Sequence, residues 1–119
     1  VKGLSFGDGF ALAAMRGSVS NDAMYYDADG TVRTKSNHNG GINGGITNGM
    51  PVLFRTVIKA AASIGKEQDT VDTDDKKNAK LIIKGRHDPC IVQRAVPVIE
   101  NAAAWTILDI LLTQGGRYT

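Results

Sequence analysis

The sequence is poor in cysteine and histidine and carries little net charge. Cys90 is the one cysteine, so no intrachain disulfide can form, and a reducing compartment, the cytoplasm, is the default expectation. One cysteine and two histidines without metal-ligand spacing argue against a zinc site. The net charge of +2 comes from 14 basic and 12 acidic side chains scattered along the chain, which gives no sign of nucleic-acid binding.

Long apolar runs and a targeting segment are also missing. No apolar run reaches the roughly 18 residues needed to cross a bilayer, so we expect no membrane contact. The chain opens on Val1, and six of its 14 glycines fall between Gly40 and Gly65, an unusual density for a free-standing small domain. We therefore expect a piece of a larger protein, with residues 1–119 forming at most one domain.

Local patterns in the first half predict short strands and loops. Residues 1–6 alternate weakly and predict a strand, and Asp8 is a suitable N-cap for a short helix at 9–15. Residues 16–48 are polar and predict mostly loop, with a possible small hairpin turning at Asp29-Gly30. The best strand is 50–58, which is rich in β-branched and aromatic residues.

The second half is predicted to end in one long helix. The polar segment 66–80 has no period and predicts a mobile surface loop, and 81–84 predicts a short strand. The helix is predicted over 95–114, with Pro97 in its first turn and Gly115-Gly116 stopping it. Because it is apolar nearly all round, we expect it to be buried between layers or at a subunit contact. The mixture is α+β.

The glycine-rich loop 37–49 is the first segment that could bind a ligand. Its paired glycines let backbone approach a phosphate or a flat ring edge closely, although the familiar nucleotide-loop spacings are absent. The alternative is a turn that serves only the fold. A second candidate follows the best strand, where Lys59 and Ser63 could hold a phosphate by charge and hydroxyl. The alternative there is a solvated lysine at a strand end.

Arg86-His87-Asp88 packs three titratable side chains together ahead of Pro89. Arginine clamps anions and stacks on planar rings, and an aspartate beside it stays ionised and can accept a proton. The alternative is a structural Arg–Asp pair. For His87 a supporting hydrogen bond is favoured over proton transfer. His38 is expected to be exposed or a structural hydrogen-bonder, and Cys90 a buried, inert thiol.

Together these segments resemble the chorismate synthase family, in its C-terminal part. The resemblance rests on motifs spread over the chain: Val1-Lys2-Gly3 with Gly7-Asp8-Gly9-Phe10, Arg16-Gly17-Ser18 with Asn21-Asp22, the loop Asn37 to Gly49, and the signature Arg86 to Glu100. It implies an α+β enzyme with helices layered against antiparallel sheets, assembled as a homotetramer. The implied reaction is an anti-1,4-elimination, in which 5-enolpyruvylshikimate 3-phosphate loses phosphate and a ring proton to give chorismate.

The resemblance also implies a cofactor, reduced FMN (FMNH2), although the reaction has no net redox change. Whether the flavin is reduced by the same protein with NADPH is left open. By family match, Gly44, the Lys59–Ser63 segment and Arg86 would contact the flavin, and Asp88 would exchange a proton with it, so that Arg86 and Asp88 are the candidate catalytic residues. The chain departs from the family pattern at Ala60, Ala61 and Ala62, which replace proline and hydroxyl residues.

Other parts of the family's active site lie outside this sequence, so we expect the 119-residue chain alone not to turn over substrate. The alternative function is a non-catalytic module for scaffolding or oligomer contacts through the 95–114 helix, retaining part of a flavin-phosphate site.

Overall fold

The computed structural model describes residues 1–87 and 89–115 and divides the chain into two units, Val1–Lys59 and Ala60–Thr119. The first unit contains a 3-10 helix, a short α-helix and six strands: Gly9–Ala14; α1 Gly17–Ser20; β1 Gly3–Phe6, β2 Met24–Tyr26, β3 Val32–Thr34, β4 Ile42–Asn43, β5 Ile46–Thr47 and β6 Phe54–Val57. Among its described residues, the second unit has two strands and one long helix: β7 Gln68–Asp72, β8 Lys77–Leu81 and α2 Val92–Gly115. The mixed α and β content confirms the α+β prediction at this level.

The described strands pair as four separate antiparallel ladders, β1–β6, β2–β3, β4–β5 and β7–β8. The β1–β6 ladder joins distant parts of the chain, with Phe6 opposite Phe54 and their ring centroids 6.2 Å apart. Strand β6 is shorter than the predicted 50–58. Residues 51–53 bond to the glycine loop instead, because Leu53 donates its N–H to the Gly40 carbonyl and Pro51 has no N–H to pair.

Tight packing in the first unit involves backbone rather than apolar side chains. No apolar side chain of the described residues is buried, whereas Gly7, Gly40, Gly41 and Thr34 are. A Cβ on Gly7 would overlap the His38 carbonyl oxygen, and one on Gly40 would lie 2.7 Å from the Leu53 oxygen. These glycines therefore allow three backbone segments to touch.

The hairpin predicted around Asp29-Gly30 is confirmed as β2–β3. Its turn is organised by two carboxylates: Asp27 accepts the Ala28 N–H and the Arg33 Nε–H, and Asp29 accepts the Thr31 N–H. The pKa of each carboxyl is lowered, chiefly by the backbone hydrogen bond from Ala28 and Thr31 respectively.

The short helix after Asp8 is confirmed, but the predicted cap is not. The Asp8 side chain makes no capping hydrogen bond, because its carboxylate is engaged by His38.

The predicted mobile loop at 66–80 is corrected by the structure, which forms the hairpin β7–β8 there. Asp72 accepts the N–H groups of Asp74 and Asp75, which closes the turn, and Lys76 takes the left-handed conformation with φ 52°. The strand predicted at 81–84 is wrong: only Leu81 lies in a strand, as the last residue of β8, and 82–84 lie outside regular structure.

Helix α2 is confirmed but begins three residues earlier than predicted, at Val92. The Ile91 carbonyl accepts its first N–H bonds, so Pro97 lies in the second turn rather than the first. The expectation of burial is not met within this chain, because none of the described side chains of the helix is buried. Ala95, Ile99 and Ala103 are half-buried and the others are exposed, Trp105 at 76% and Leu112 at 72%. Burial at a subunit contact stays a prediction.

We expected no membrane contact because no uninterrupted apolar run reaches about 18 residues. Residues Val92–Thr113 of α2 are nevertheless long and apolar enough to cross a membrane by length and composition, with a mean hydropathy of 1.5. Charged residues interrupt this stretch but lower its mean hydropathy only in part. Core helices of soluble proteins pass the same test, so the finding does not assign a membrane role.

Candidate functional site

Gly44 and Gly45 form the tip of a very small hairpin within the glycine-rich segment. The pairs Ile42–Thr47 and Asn43–Ile46 leave these two glycines as the turn, with φ 58° and 81°. Positive φ at both central residues is typical of the type I′ turn, which is common in two-residue β-hairpins. No atom lies within 4 Å of a Cβ built on either glycine, so backbone at this tip is open to a ligand. Residues 37–49 are therefore not all loop.

The other glycine pair, Gly40-Gly41, has a different role. A Cβ on Gly41 would lie 2.5 Å from the Pro51 oxygen, and Gly40 is pressed against Gly7 and Leu53. The segment 37–49 thus supports both interpretations, a turn that serves the fold and backbone that a ligand can approach. The first pair serves the fold, and the second pair presents open backbone.

Asp22 organises the segment that leads into this hairpin. Its carboxylate accepts the Ser36 hydroxyl at 2.7 Å, the His38 N–H at 2.8 Å, and the Asn39 N–H and Nδ2 each at 2.9 Å. Burial alone would raise the pKa of Asp22, but the hydrogen bonds from Asn39, Ser36 and His38 together lower it below its ordinary value. The site therefore favours the ionised carboxylate.

His38 is held through its backbone N–H, its backbone carbonyl and its ring. Its Nδ1 lies 2.6 Å from Asp8 Oδ2, and its carbonyl accepts the Asp8 N–H at 2.9 Å. The two side chains are 25% and 31% exposed. The prediction of a structural hydrogen-bonding role for His38 is confirmed, with the carboxylate as its partner.

The side chains of Asn48 and Asn37 form further hydrogen bonds in and near the hairpin. Asn48 Nδ2 donates to Asn43 Oδ1 at 2.7 Å, and the Asn48 N–H bonds to the Gly41 carbonyl at 3.0 Å. Asn37 Nδ2 donates to the Pro51 carbonyl at 2.9 Å, while its buried Oδ1 has no partner in the described part of the chain.

The predicted phosphate-binding residues lie on exposed backbone. Lys59, two residues after β6, is exposed and ends the first unit. Ala60, Ala61, Ala62 and Ser63 open the second unit and are also exposed, outside regular structure. The Ala62 carbonyl accepts Gln68 Nε2 at 3.2 Å, which ties this segment to the start of β7.

Arg86 is exposed and follows Gly85, whose φ is 142°. His87 bonds through Nε2 to the Ile83 carbonyl at 2.9 Å, which agrees with the supporting role favoured for it. Asp88 lies outside the described residues. The buried thiol expected at Cys90 is wrong, because Cys90 is exposed.

Sequence reasoning missed Asp22 as a hub and Asp8 as the partner of His38. Each carboxylate and its partners lie 14 to 30 residues apart. The one signal available was that Asp8 and Asp22 both belong to the motifs that carry the family resemblance, alongside the loop that they bind.

Comparison with known proteins agrees with the motifs. The family model described as chorismate synthase matches residues 1–112. The chain is 47% identical over 116 residues to a chorismate synthase of Crocosphaera subtropica, covering 98% of this chain and 32% of the relative. It is 48% identical over 115 residues to one of Archaeoglobus fulgidus, covering 97% and 32%. It is 46% identical over 113 residues to a chloroplastic one of Capnoides sempervirens, covering 95% and 25%.

The chain thus spans a third or less of the length of these relatives. The match nevertheless extends from the β1 strand, through the glycine hairpin and the Asp22 loop, into α2. This chain belongs to the chorismate synthase family.

Proposed function

We propose that the protein carrying this chain is a chorismate synthase, a lyase of the shikimate pathway to aromatic amino acids. The supporting observation is the family match over residues 1–112 with 46–48% identity along nearly the whole chain. In the proposed elimination, the C–O bond to phosphate of 5-enolpyruvylshikimate 3-phosphate breaks and phosphate leaves with the electron pair. A ring C–H bond also breaks, a base takes the proton, and chorismate forms without net redox change.

Reduced FMN is the proposed cofactor, and within each unit taken by itself the residues at the family-matched positions suit such a group. Gly44 offers open backbone for a ring edge, while Lys59, Ser63 and Arg86 are exposed donors suited to a phosphate. When bound, reduced FMN supplies electron density that helps phosphate leave. The protein's share is positioning and electrostatic stabilisation.

Arg86 and Asp88 are the proposed catalytic residues. The Arg86 guanidinium stabilises negative charge on the cofactor or substrate, and Asp88 accepts and returns a proton. Ala60 to Ala62 provide backbone groups but no side-chain donors, so the charge of Lys59, the hydroxyl of Ser63 and the backbone N–H groups would have to hold the phosphate on this segment. We expect weaker flavin binding than in a relative with hydroxyl residues at these positions.

Four further features are proposed, three from the family and the cytoplasmic location from the single cysteine. The chain forms the C-terminal part of the enzyme, α2 is layered against sheets, and the enzyme works as a cytoplasmic homotetramer. NADP is proposed only as the source of reducing equivalents for FMN.

An anaerobic assay of the intact protein tests the proposal. With reduced FMN and 5-enolpyruvylshikimate 3-phosphate, we expect chorismate formation followed by absorbance, with kcat lowered about 100-fold or more in Asp88→Ala. Arg86→Ala should weaken FMN binding, whereas Arg16→Ala, in another part of the chain, should not. No chorismate from the intact protein would refute the proposal, and robust turnover by the 119-residue chain alone would refute its dependence on further residues.

The exposure of α2 favours one other candidate, a non-catalytic module that contributes oligomer contacts. Titrating FMN against the 119-residue chain and following flavin fluorescence separates the two. Saturable binding that is lost in Arg86→Ala favours a preserved half of the flavin site, and no binding favours the module.

A further inference from the structure

We propose that Asp22, with the Asp8–His38 pair, is a positioning device that fixes the open Gly44-Gly45 turn for its ligand. The inference rests on the proposed function, in which this turn contacts the flavin. It adds residues that touch no ligand themselves but determine where the turn lies.

The first step is the saturation of the Asp22 carboxylate. Both its oxygens are used, and four donors from Ser36, His38 and Asn39 converge on them between 2.7 and 2.9 Å. Hydrogen bonds to a charged acceptor are shorter and about twice as strong as neutral ones. One side chain therefore fixes the backbone of residues 36–39.

The second step connects this backbone to the turn. The Asn39 carbonyl accepts the Ile42 N–H at 3.5 Å, and the Gly41 carbonyl accepts the Asn48 N–H at 3.0 Å. The first bond attaches the start of β4 to the segment that Asp22 holds, and the second joins the residue after β5 to Gly41, the residue before β4. Because Gly40 and Gly41 are in van der Waals contact with neighbouring backbone, the segment has no room to shift.

The third step is the contact of His38 with Asp8. His38 is tied to Asp8 through its ring and its carbonyl, so the 36–41 segment is anchored to the turn that follows β1. Groups that act on a ligand only when held within a fraction of an ångström need this kind of supporting shell. The turn itself has no side chains, so its position depends on these anchors.

Variants of the intact protein separate positioning from general stability. Asp22→Ala removes the hub, and Asp22→Asn keeps its shape but loses its charge. His38→Ala removes the side-chain contact with Asp8, whereas His38→Asn places an amide donor where Nδ1 stands and keeps the bond to Asp8. Asp27→Asn is the matched control, since Asp27 also accepts a backbone N–H and a side-chain donor but in the β2–β3 turn.

The readouts are the dissociation constant for FMN, the KM for 5-enolpyruvylshikimate 3-phosphate, and amide exchange at residues 43–46. We expect Asp22→Ala to raise the FMN dissociation constant about 10- to 100-fold, by analogy with the loss of groups that orient metal ligands. Asp22→Asn and His38→Ala should have smaller effects, His38→Asn should be close to wild type, and the substrate KM should change little. Exchange at 43–46 should quicken in the same order.

Unchanged exchange at 43–46 in folded Asp22→Asn and His38→Ala would overturn the inference. So would His38→Asn weakening FMN binding as much as His38→Ala, because the bond to Asp8 would then not be what His38 provides. If wild type does not bind FMN at all, the proposed function fails, while the exchange experiment still decides whether Asp22 positions the turn.

Discussion

The 36–41 segment and helix α2 are stabilised in opposite ways. The segment is polar, and apart from the Asn37 Oδ1 its buried polar side-chain groups find partners within the first unit: Asp22 accepts four hydrogen bonds and Gly40 is buried against backbone. Helix α2 is apolar, and its large side chains, such as Trp105 and Leu111, are exposed at 76% and 62%. The segment is thus ordered by its own hydrogen bonds, whereas we predict that the helix is stabilised by a surface that covers it in the intact protein.

The largest effect should follow from filling the space at Gly40. Gly40→Ala puts a Cβ against the Gly7 amide and 2.7 Å from the Leu53 oxygen, at a φ of 64° that side chains rarely adopt. We expect a loss of about 3 kcal/mol or more in the free energy of unfolding, measured by urea denaturation of the intact protein. Gly17→Ala is the control, because no atom lies within 4 Å of its Cβ. Equal, small effects at both glycines would contradict the packing described for the segment.

Acid should weaken the segment through Asp22. The folded-state pKa of Asp22 lies below its ordinary value of 3.8, so the folded state favours the ionised form. Its contribution is therefore fully present above pH 3.8 and is lost as the pH falls through the folded-state pKa.

Unfolding of wild type and Asp22→Asn between pH 2 and 6 measures this contribution. We expect an advantage of about 1–3 kcal/mol for wild type near pH 6, from charged hydrogen bonds, which shrinks below pH 4. A difference between the two proteins that is constant over this range would show that the charge of Asp22 does not contribute.

A small effect is expected for truncating an apolar side chain on α2 when nothing covers it. Leu111→Ala should change the unfolding free energy of the 119-residue chain by no more than about 0.5 kcal/mol. If the helix is covered in the intact protein, the same change should cost about 2–5 kcal/mol there. A large loss in the 119-residue chain itself would contradict the exposure of α2, and a small loss in both would leave the helix uncovered.

The two regions also differ in how far sequence could predict them. Helix α2 and the β2–β3 hairpin were predicted correctly because spacing and the Asp-Gly turn are local signals. The β7–β8 hairpin was missed because its strands are polar on both faces and its pairing is partly ionic, as in Lys80 with Asp69. An exposed ladder has no apolar alternation to reveal it.

The candidate site divides in the same manner. The glycine pairs of 37–49 predicted backbone that a ligand could approach, and the structure has open backbone at Gly44-Gly45, whereas the β4–β5 hairpin around it was not predicted. The Asp22 contacts could not be predicted, since its partners lie 14 to 17 residues away and nothing local links a carboxylate to a distant N–H. Hydrogen bonds between loops depend on the fold being formed first.

The least perturbing test of the comparison uses the two histidines, one in each unit. His38 Nδ1 faces the Asp8 carboxylate, so this nitrogen carries the proton and Nε2 has the lone pair. His87 bonds through Nε2 to the Ile83 carbonyl, which only accepts, so the proton is on Nε2. In their neutral forms the two rings should therefore be opposite tautomers.

Long-range proton–nitrogen correlation spectra of histidine-labelled protein distinguish the tautomers directly. We expect Asp8→Ala to release His38 from the Nδ1–H form and to leave His87 unchanged, which makes His87 an internal control. If His38 keeps the Nδ1–H form without Asp8, the carboxylate does not set its tautomer. If both rings are Nε2–H in wild type, His38 does not donate a hydrogen bond from Nδ1 to Asp8. The backbone bond from the Asp8 N–H to the His38 carbonyl would then be what joins Asp8 to the 36–41 segment.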